Sequence, residues 1–290
     1  GSILEREANA GEWREVIGNL LRPTDSVAAD FDGDGDDDIV VNEFGHYLGQ
    51  LSLFERLEDG RFRKHTLRDE PGSVASQLIA AEDSALPHLL VLNAQAREDL
   101  TFYRNRGGLS FEPVRLLQKP SSFGYTQLHR VDLDGDGRPE YVTVNGDNVD
   151  LPVPPLKAYH GIRIYRMLPG PELEEMRFLR VPGALTATFD DFNQDGRTDI
   201  AVVSYIPDPR SPEQGVVLFE NRGGLAFDRR IIPDTPRAPW MTIDSGDIDG
   251  DGDIDIVLGS SFAAPPVDPD GVRRFPAGAI LRNMRTSRDD

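Results

Sequence analysis

An all-β fold built from repeated four-stranded units follows from three observations on the sequence. A twelve-residue acidic motif recurs at near-regular spacing, and a hairpin motif lies between its copies. No segment longer than about 12 residues shows clean helical periodicity. Four antiparallel strands in every repeat of about 50–60 residues make the blade of a β-propeller.

The acidic motif reads "DFDGDGDDDIVV" from Asp30, "DLDGDGRPEYVT" from Asp132, "DFNQDGRTDIAV" from Asp191 and "DIDGDGDIDIVL" from Asp247. A decayed copy, "AAEDSALPHLLV" from Ala80, keeps an acid at a motif position only at Glu82. Counting that copy, successive starts lie 50, 52, 59 and 56 residues apart. One such unit cannot bury both its faces, so units of this period stack on one another.

In each repeat a first strand enters the acidic loop (26–29, 128–131, 186–189), and a second leaves it (39–42 and its equivalents). The third and fourth form a hairpin: "LSLFERLEDGRFRKHTL" (51–67), "LTFYRNRGGLSFEPVRLL" (100–117), "GIRIYRMLPGPELEEMRFL" (161–179) and "GVVLFENRGGLAFDRRII" (215–232). Each is an apolar–aromatic run, a Gly-bearing turn and a second, alternating run. The repeats fall at about 19–67, 68–117, 118–180, 181–232 and 233–284 within a single domain spanning 1–290. Five blades are expected. The last repeat supplies three strands, ending in "GAILRNM" (278–284), and "EWREVIG" (12–18) reads as its fourth, closing the ring. "ILERE" (3–7) also resembles a third strand, and a duplicated third strand would instead mark a piece of a larger ring of six to eight blades.

The loop spacing is D-x-D/N-x-D-G-x-x-D/E. Side chains at positions 1, 3 and 5 can turn onto one centre, Gly at position 6 permits the sharp turn, position 7 offers a carbonyl and position 9 adds a carboxylate. An all-oxygen cage suits Ca²⁺, whereas Mg²⁺ demands tighter octahedral geometry. Zinc is excluded by the absence of His and Cys from these loops. An EF-hand needs a Glu at position 12 and flanking helices, but position 12 here is Val41, Thr143, Val202 and Leu258. One Asp-Gly run is an ordinary turn former; four copies at a regular period point to metal, so about four Ca²⁺ are expected. The decayed loop is expected to hold none.

The formal net charge is -19, from 31 basic and 50 acidic residues, which argues against nucleic acid and anionic membranes as partners. The chain contains no cysteine, and no run approaches the roughly 18 apolar residues that span a bilayer. Gly1-Ser2 reads as a remnant of tag removal, behind which a signal peptide would be invisible.

The acidic loops, the "DIVV" or "DIAV" strand after them and the "LFENRGG" hairpin together resemble the FG-GAP/VCBS repeat family, which includes the propeller heads of integrin α-subunits and many secreted bacterial repeat proteins. The resemblance runs from about residue 12 to 284 and implies calcium and an extracellular or periplasmic location. Carried over by position, the ligands would be Asp30, Asp32, Asp34 and Asp38; Asp132, Asp134, Asp136 and Glu140; Asp191, Asn193, Asp195 and Asp199; and Asp247, Asp249, Asp251 and Asp255. Asp36, Arg138, Arg197 and Asp253, at position 7, would give only their carbonyls. The family commonly closes with seven or eight blades, a departure from the five counted here. It implies no single activity.

The long segments between second and third strands (42–50, 145–161, 204–215 and 260–278) share one rim, where binding usually resides. Candidate ligand-binding residues there are His46, Asp147, Asn148, Asp150, Tyr159 and His160, joined on the same face by Trp240. The expected function is a calcium-stabilised, monomeric binding module for a glycan or a protein. G-x-S-x-G, H-E-x-x-H and phosphate-loop motifs are absent, which weighs against catalysis. A carbohydrate-active enzyme such as a polysaccharide lyase, or the partner domain of a larger redox protein, is the alternative.

Overall fold

The computed structural model describes residues 1–6, 11–45, 47–81, 84–95, 97–147, 157–205, 215–235, 238–260 and 276–284. The chain divides into two compact units, one of residues 1–122 with 169–172, the other of 123–168 with 173–290. Among the described residues every regular element is a strand, and the strands form six sheets.

In the first unit, β1 (Ile3–Glu5) and β2 (Arg14–Ile17) make a two-stranded sheet. β3 (Pro23–Ala29), β4 (Asp38–Glu43), β5 (Gln50–Arg56) and β6 (Phe62–Arg68) make an antiparallel sheet in chain order. β7 (Ser73–Ile79), β8 (His88–Asn93), β9 (Glu98–Asn105) and β10 (Phe111–Lys119) make another of the same order. In the second unit, β11 (Tyr125–Val131), β12 (Glu140–Asn145), β13 (Gly161–Leu168) and β14 (Glu172–Arg180) form one sheet. β15 (Ala184–Asp190), β16 (Asp199–Ser204), β17 (Val216–Asn221) and β18 (Phe227–Ile232) form the next. β19 (Trp240–Gly246), β20 (Asp255–Ser260) and β21 (Gly278–Leu281) form a three-stranded sheet.

The strand that leaves each of the first three acidic loops is buried on both faces, which explains its apolar, β-branched-rich run; in the last, β20, Val257 is exposed. In β16, Ile200 and Val202 pack with Val142 and Ile164 of one neighbouring sheet. The intervening Ala201 and Val203 pack with Trp240, Ile256 and Leu258 of the other. In the first unit Val40 faces Leu89, Val91 and Tyr103, while Val41 faces Ile17 and Leu20 beside β1 and β2.

A bulge recurs where each first strand begins, skipping Thr24, Val74, Thr126, Leu185 and Met241. The skipped residues join sheet to sheet. Thr24 Oγ1 donates to Val74 O at 2.8 Å, Thr126 Oγ1 to Leu185 O at 2.6 Å, and Thr186 Oγ1 to Met241 O at 3.2 Å. A bulge frees backbone groups from the ladder, and here they serve the next sheet.

The sequence places residues 12–18 as the fourth strand of the last repeat. The structure differs: Arg14–Ile17 pairs with Ile3–Glu5, and among the described residues β19–β21 remain three. The local pairing closes a short loop and lets Ile3, Val16 and Ile17 cover Val41 and Phe54. The alternative reading of residues 3–7 as a third strand is the one that this hairpin resembles.

Candidate metal centres

Each acidic loop joins the first two strands of its sheet. The carboxylate at position 1 organises the turn. Asp30 accepts from Gly33 N at 2.6 Å and Gly35 N at 3.1 Å, and Asp132 accepts from Gly135 N at 2.8 Å and Gly137 N at 2.9 Å. Asp247 does the same for Gly250 and Gly252. Asp191 reaches the amides of Asp195 and Gly196. Position 4 has φ of +90°, +77° and +80° at Gly33, Gly135 and Gly250, a left-handed conformation that glycine adopts without strain. In the third loop Gln194 takes it at 55°.

The turn brings positions 1, 3 and 5 together. Oxygens of Asp30, Asp32 and Asp34 lie within 4.8 Å of one another, as do those of Asp132, Asp134 and Asp136 and of Asp247, Asp249 and Asp251. The third loop has Asp191, Asn193 and Asp195 in these places, two carboxylates and an amide. There Asn193 Oδ1 is buried without a hydrogen-bond partner. A buried carbonyl oxygen left so is destabilising unless a cation or water completes it. The donors are hard oxygens throughout, which fits Ca²⁺.

Residues 191–258 match the family described as FG-GAP-like repeat. An FG-GAP-like repeat is present there. No curated protein matches the chain. Among solved structures, a protein from Lactobacillus plantarum aligns at 12% identity over 87% of this chain and 69% of its own, with a TM-score of 0.48, a likeness too slight to carry an argument.

The FG-GAP-like repeat also shows what the ninth position does. Asp199 is fully buried, and its Oδ1 accepts from Asn221 N at 2.7 Å. Its counterparts brace the loop on both sides: Asp38 accepts from Phe31 N and Arg56 N, and Asp255 accepts from Ile248 N and Asn283 N. Glu140 takes Leu133 N. Burial, against these donors, pushes Asp38 and Asp199 up to about 6, and the neighbouring loop carboxylates add to the rise. In the decayed copy His88 stands at this place, and its Nδ1 accepts from Asn105 N at 3.1 Å. Glu82, the one acid retained there, lies outside the described residues.

A second feature had no reading from sequence. The asparagine at the end of the third strand, or two residues past it in the last sheet, caps the loop of the preceding sheet. Asn105, Asn221 and Asn283 donate through Nδ2 to the carbonyls of Phe31 (2.8 Å), Leu133 (2.6 Å) and Phe192 (2.9 Å). Asn at one fixed place in three repeats was the available signal.

Position 7 varies. Arg138 and Arg197 donate backbone N–H groups to the position-5 carboxylates, and the Arg197 side chain also reaches Asp195 at 2.5 Å. Asp36 and Asp253 make the same backbone contact to Asp34 and Asp251.

Of the candidate ligand-binding residues, His160 is wholly buried and Trp240 is 2% exposed. His160 Nδ1 accepts from Gly183 N at 3.2 Å, and Trp240 Nε1 donates to Thr235 O at 2.6 Å. Both side chains face the protein. Tyr159 stacks on Phe123 at 5.2 Å and 8°. Arg163 lies over Phe123 and Phe178 and donates to Asn145 Oδ1 and Tyr159 O. Asp147 is half-buried. His46, Asn148 and Asp150 lie outside the described residues. Tyr47 and Leu48, beside His46, are 83% and 76% exposed. Among the described residues no helix is long and apolar enough to cross a membrane.

Proposed function

We propose that the chain is a calcium-stabilised β-propeller that acts as an extracellular or periplasmic binding module. Its blades are the sheets described above, in a ring of five or more, within one domain that works as a monomer. The observation that carries the reading is the meeting of three carboxylates at the same point of three repeats, with an orphaned buried amide oxygen, Asn193 Oδ1, at the matching position of a fourth. Calcium ligands come from positions 1, 3, 5 and 9, with the position-7 carbonyl, at about four sites. Clustered carboxylates repel without a cation, so metal binding adds to folding stability. The ligand is a glycan or a protein seated on the long loops between second and third strands. The exposed Tyr47 and Leu48 supply apolar surface there, of a kind that stacks on sugar rings or peptide side chains.

Calcium uptake by the chelator-stripped protein tests the metal, with about four ions bound and a higher melting temperature expected. An identical melting curve in EGTA and in calcium overturns it. A glycan panel with product detection tests the module: binding without cleavage supports it, and new unsaturated sugar ends replace it with a lyase.

A further inference from the structure

We propose that Arg166 is the built-in counter-ion of the second acidic loop, holding that loop folded without metal and making it a weaker calcium site than the first. The inference rests on the calcium reading above and goes beyond it, because it ranks sites that the loop motif alone makes alike.

The residue facing the ninth position from the third strand differs between repeats. Pairing of Tyr141 with Tyr165 puts Arg166 opposite Glu140, and pairing of Ile39 with Phe54 puts Glu55 opposite Asp38. Arg166 Nη2 donates to Asp134 Oδ2 and, at 3.1 Å, to Glu140 Oε1. One guanidinium nitrogen thus joins positions 3 and 9, as a bound cation would. Arg166 is 33% exposed, Asp134 15% and Glu140 1%, so water screens the contact only in part.

The first loop has no such group. Glu55 is engaged by Arg63 and His65 of the outer strand and adds its own repulsion at Asp32. Among the described residues no Lys, Arg or His is ion-paired to Asp30, Asp32 or Asp34. The fourth loop falls between them: Arg282 reaches Asp249 at 3.3 Å but is 60% exposed and makes that one contact with the loop. A positive charge seated on a ligand oxygen removes the repulsion that calcium would otherwise relieve. It also repels the incoming ion and occupies its lone pair.

The test is a competitive-chelator calcium titration of the full chain, with melting curves in EGTA. Arg166→Gln is expected to tighten one site about tenfold and to lower the melting temperature in EGTA more than in calcium. The reciprocal change, Glu55→Arg, is expected to weaken one site about tenfold. Unchanged or weaker sites in Arg166→Gln overturn the inference. Should that variant fail to fold, unchanged affinities in Glu55→Arg overturn it instead. A wild-type chain that takes up no calcium sinks the calcium reading itself, an outcome distinct from either.

Discussion

Asn221 Nδ2 lies 2.6 Å from the carbonyl oxygen of Leu133, 88 residues earlier in the chain. The same nitrogen reaches Thr198 O, while Oδ1 accepts from Gly223 N. One buried amide thus closes its own hairpin and seals the acidic loop of the neighbouring sheet. Asn221→Ala leaves the buried carbonyl of Leu133, the half-buried carbonyl of Thr198 and one N–H without their partner. The expected loss is about 2–4 kcal/mol, read by urea unfolding. Asn283→Ala is expected to lose less, because Asn283 is only half-buried and water can replace the amide. Equal losses at the two positions would show that burial does not set the size of the effect.

Arg163 makes a second prediction. It is 7% exposed, lies 4.2 Å from the Phe178 ring centroid and 4.9 Å from that of Phe123, and donates to Asn145 Oδ1 at 2.5 Å. A planar guanidinium can stack on rings and donate sideways at once, which an ammonium cannot. Arg163→Lys is therefore expected to destabilise the second unit by about 1–3 kcal/mol, with Tyr159 fluorescence reporting loss of its stack. Full stability in the lysine variant would mean that charge alone suffices there.

His160 sets an acid limit. Burial, helped by nearby Lys157, Arg163 and Arg180, pushes it down to about 4 from an ordinary 6.5, and Nδ1 accepts a hydrogen bond that the protonated ring could not take. Between those values the unfolded chain binds a proton that the folded chain refuses. Stability is thus fully present above pH 6.5 and falls as pH drops towards 4, by about 3 kcal/mol for this group. Urea unfolding from pH 7.5 to 4.5 in fixed calcium checks it. His160→Gln is expected to have the shallower acid limb, and an identical slope in both proteins would remove His160 as its cause.

Much of this was legible in the sequence because the motif carries its own chemistry. Asp30, Asp32 and Asp34 alternate, so a turn that gathers one gathers all three, and the β-branched-rich run after the first three loops marks a strand with two covered faces. What escaped depends on neighbours distant in the chain. Asn105 and Asn221 sit inside "NRGG" strings that read as turn residues, yet half of their hydrogen bonding belongs to another sheet. The recurrent bulge leaves little compositional trace, because Thr24, Val74, Thr126, Leu185 and Met241 are of four different side-chain types. His160 and Trp240 look like rim residues by position, and only packing shows that they are enclosed. Short strands of three and four residues at the N-terminus carry too little pattern to choose a partner.

Asp32 and Asp38 belong to one motif, but the structure separates their roles, and two variants distinguish them. Asp38 is 1% exposed and holds the backbone N–H groups of Phe31 and Arg56. Asp32 is half-buried and, among the described residues, accepts only from Asp34 N, within the loop. Asp38→Ala orphans two donors at the junction of three strands, with or without metal. It is expected to cost about 2–4 kcal/mol in EGTA as well as in calcium. Asp32→Ala removes a carboxylate that repels Asp30, Asp34 and Asp38 in the metal-free protein. It is therefore expected to be neutral or slightly stabilising in EGTA and destabilising in calcium, where it costs a ligand. Paired melting curves under the two conditions read the difference. A loss of stability for Asp32→Ala that is the same in EGTA as in calcium would assign it to the loop's own hydrogen bonding rather than to a cation.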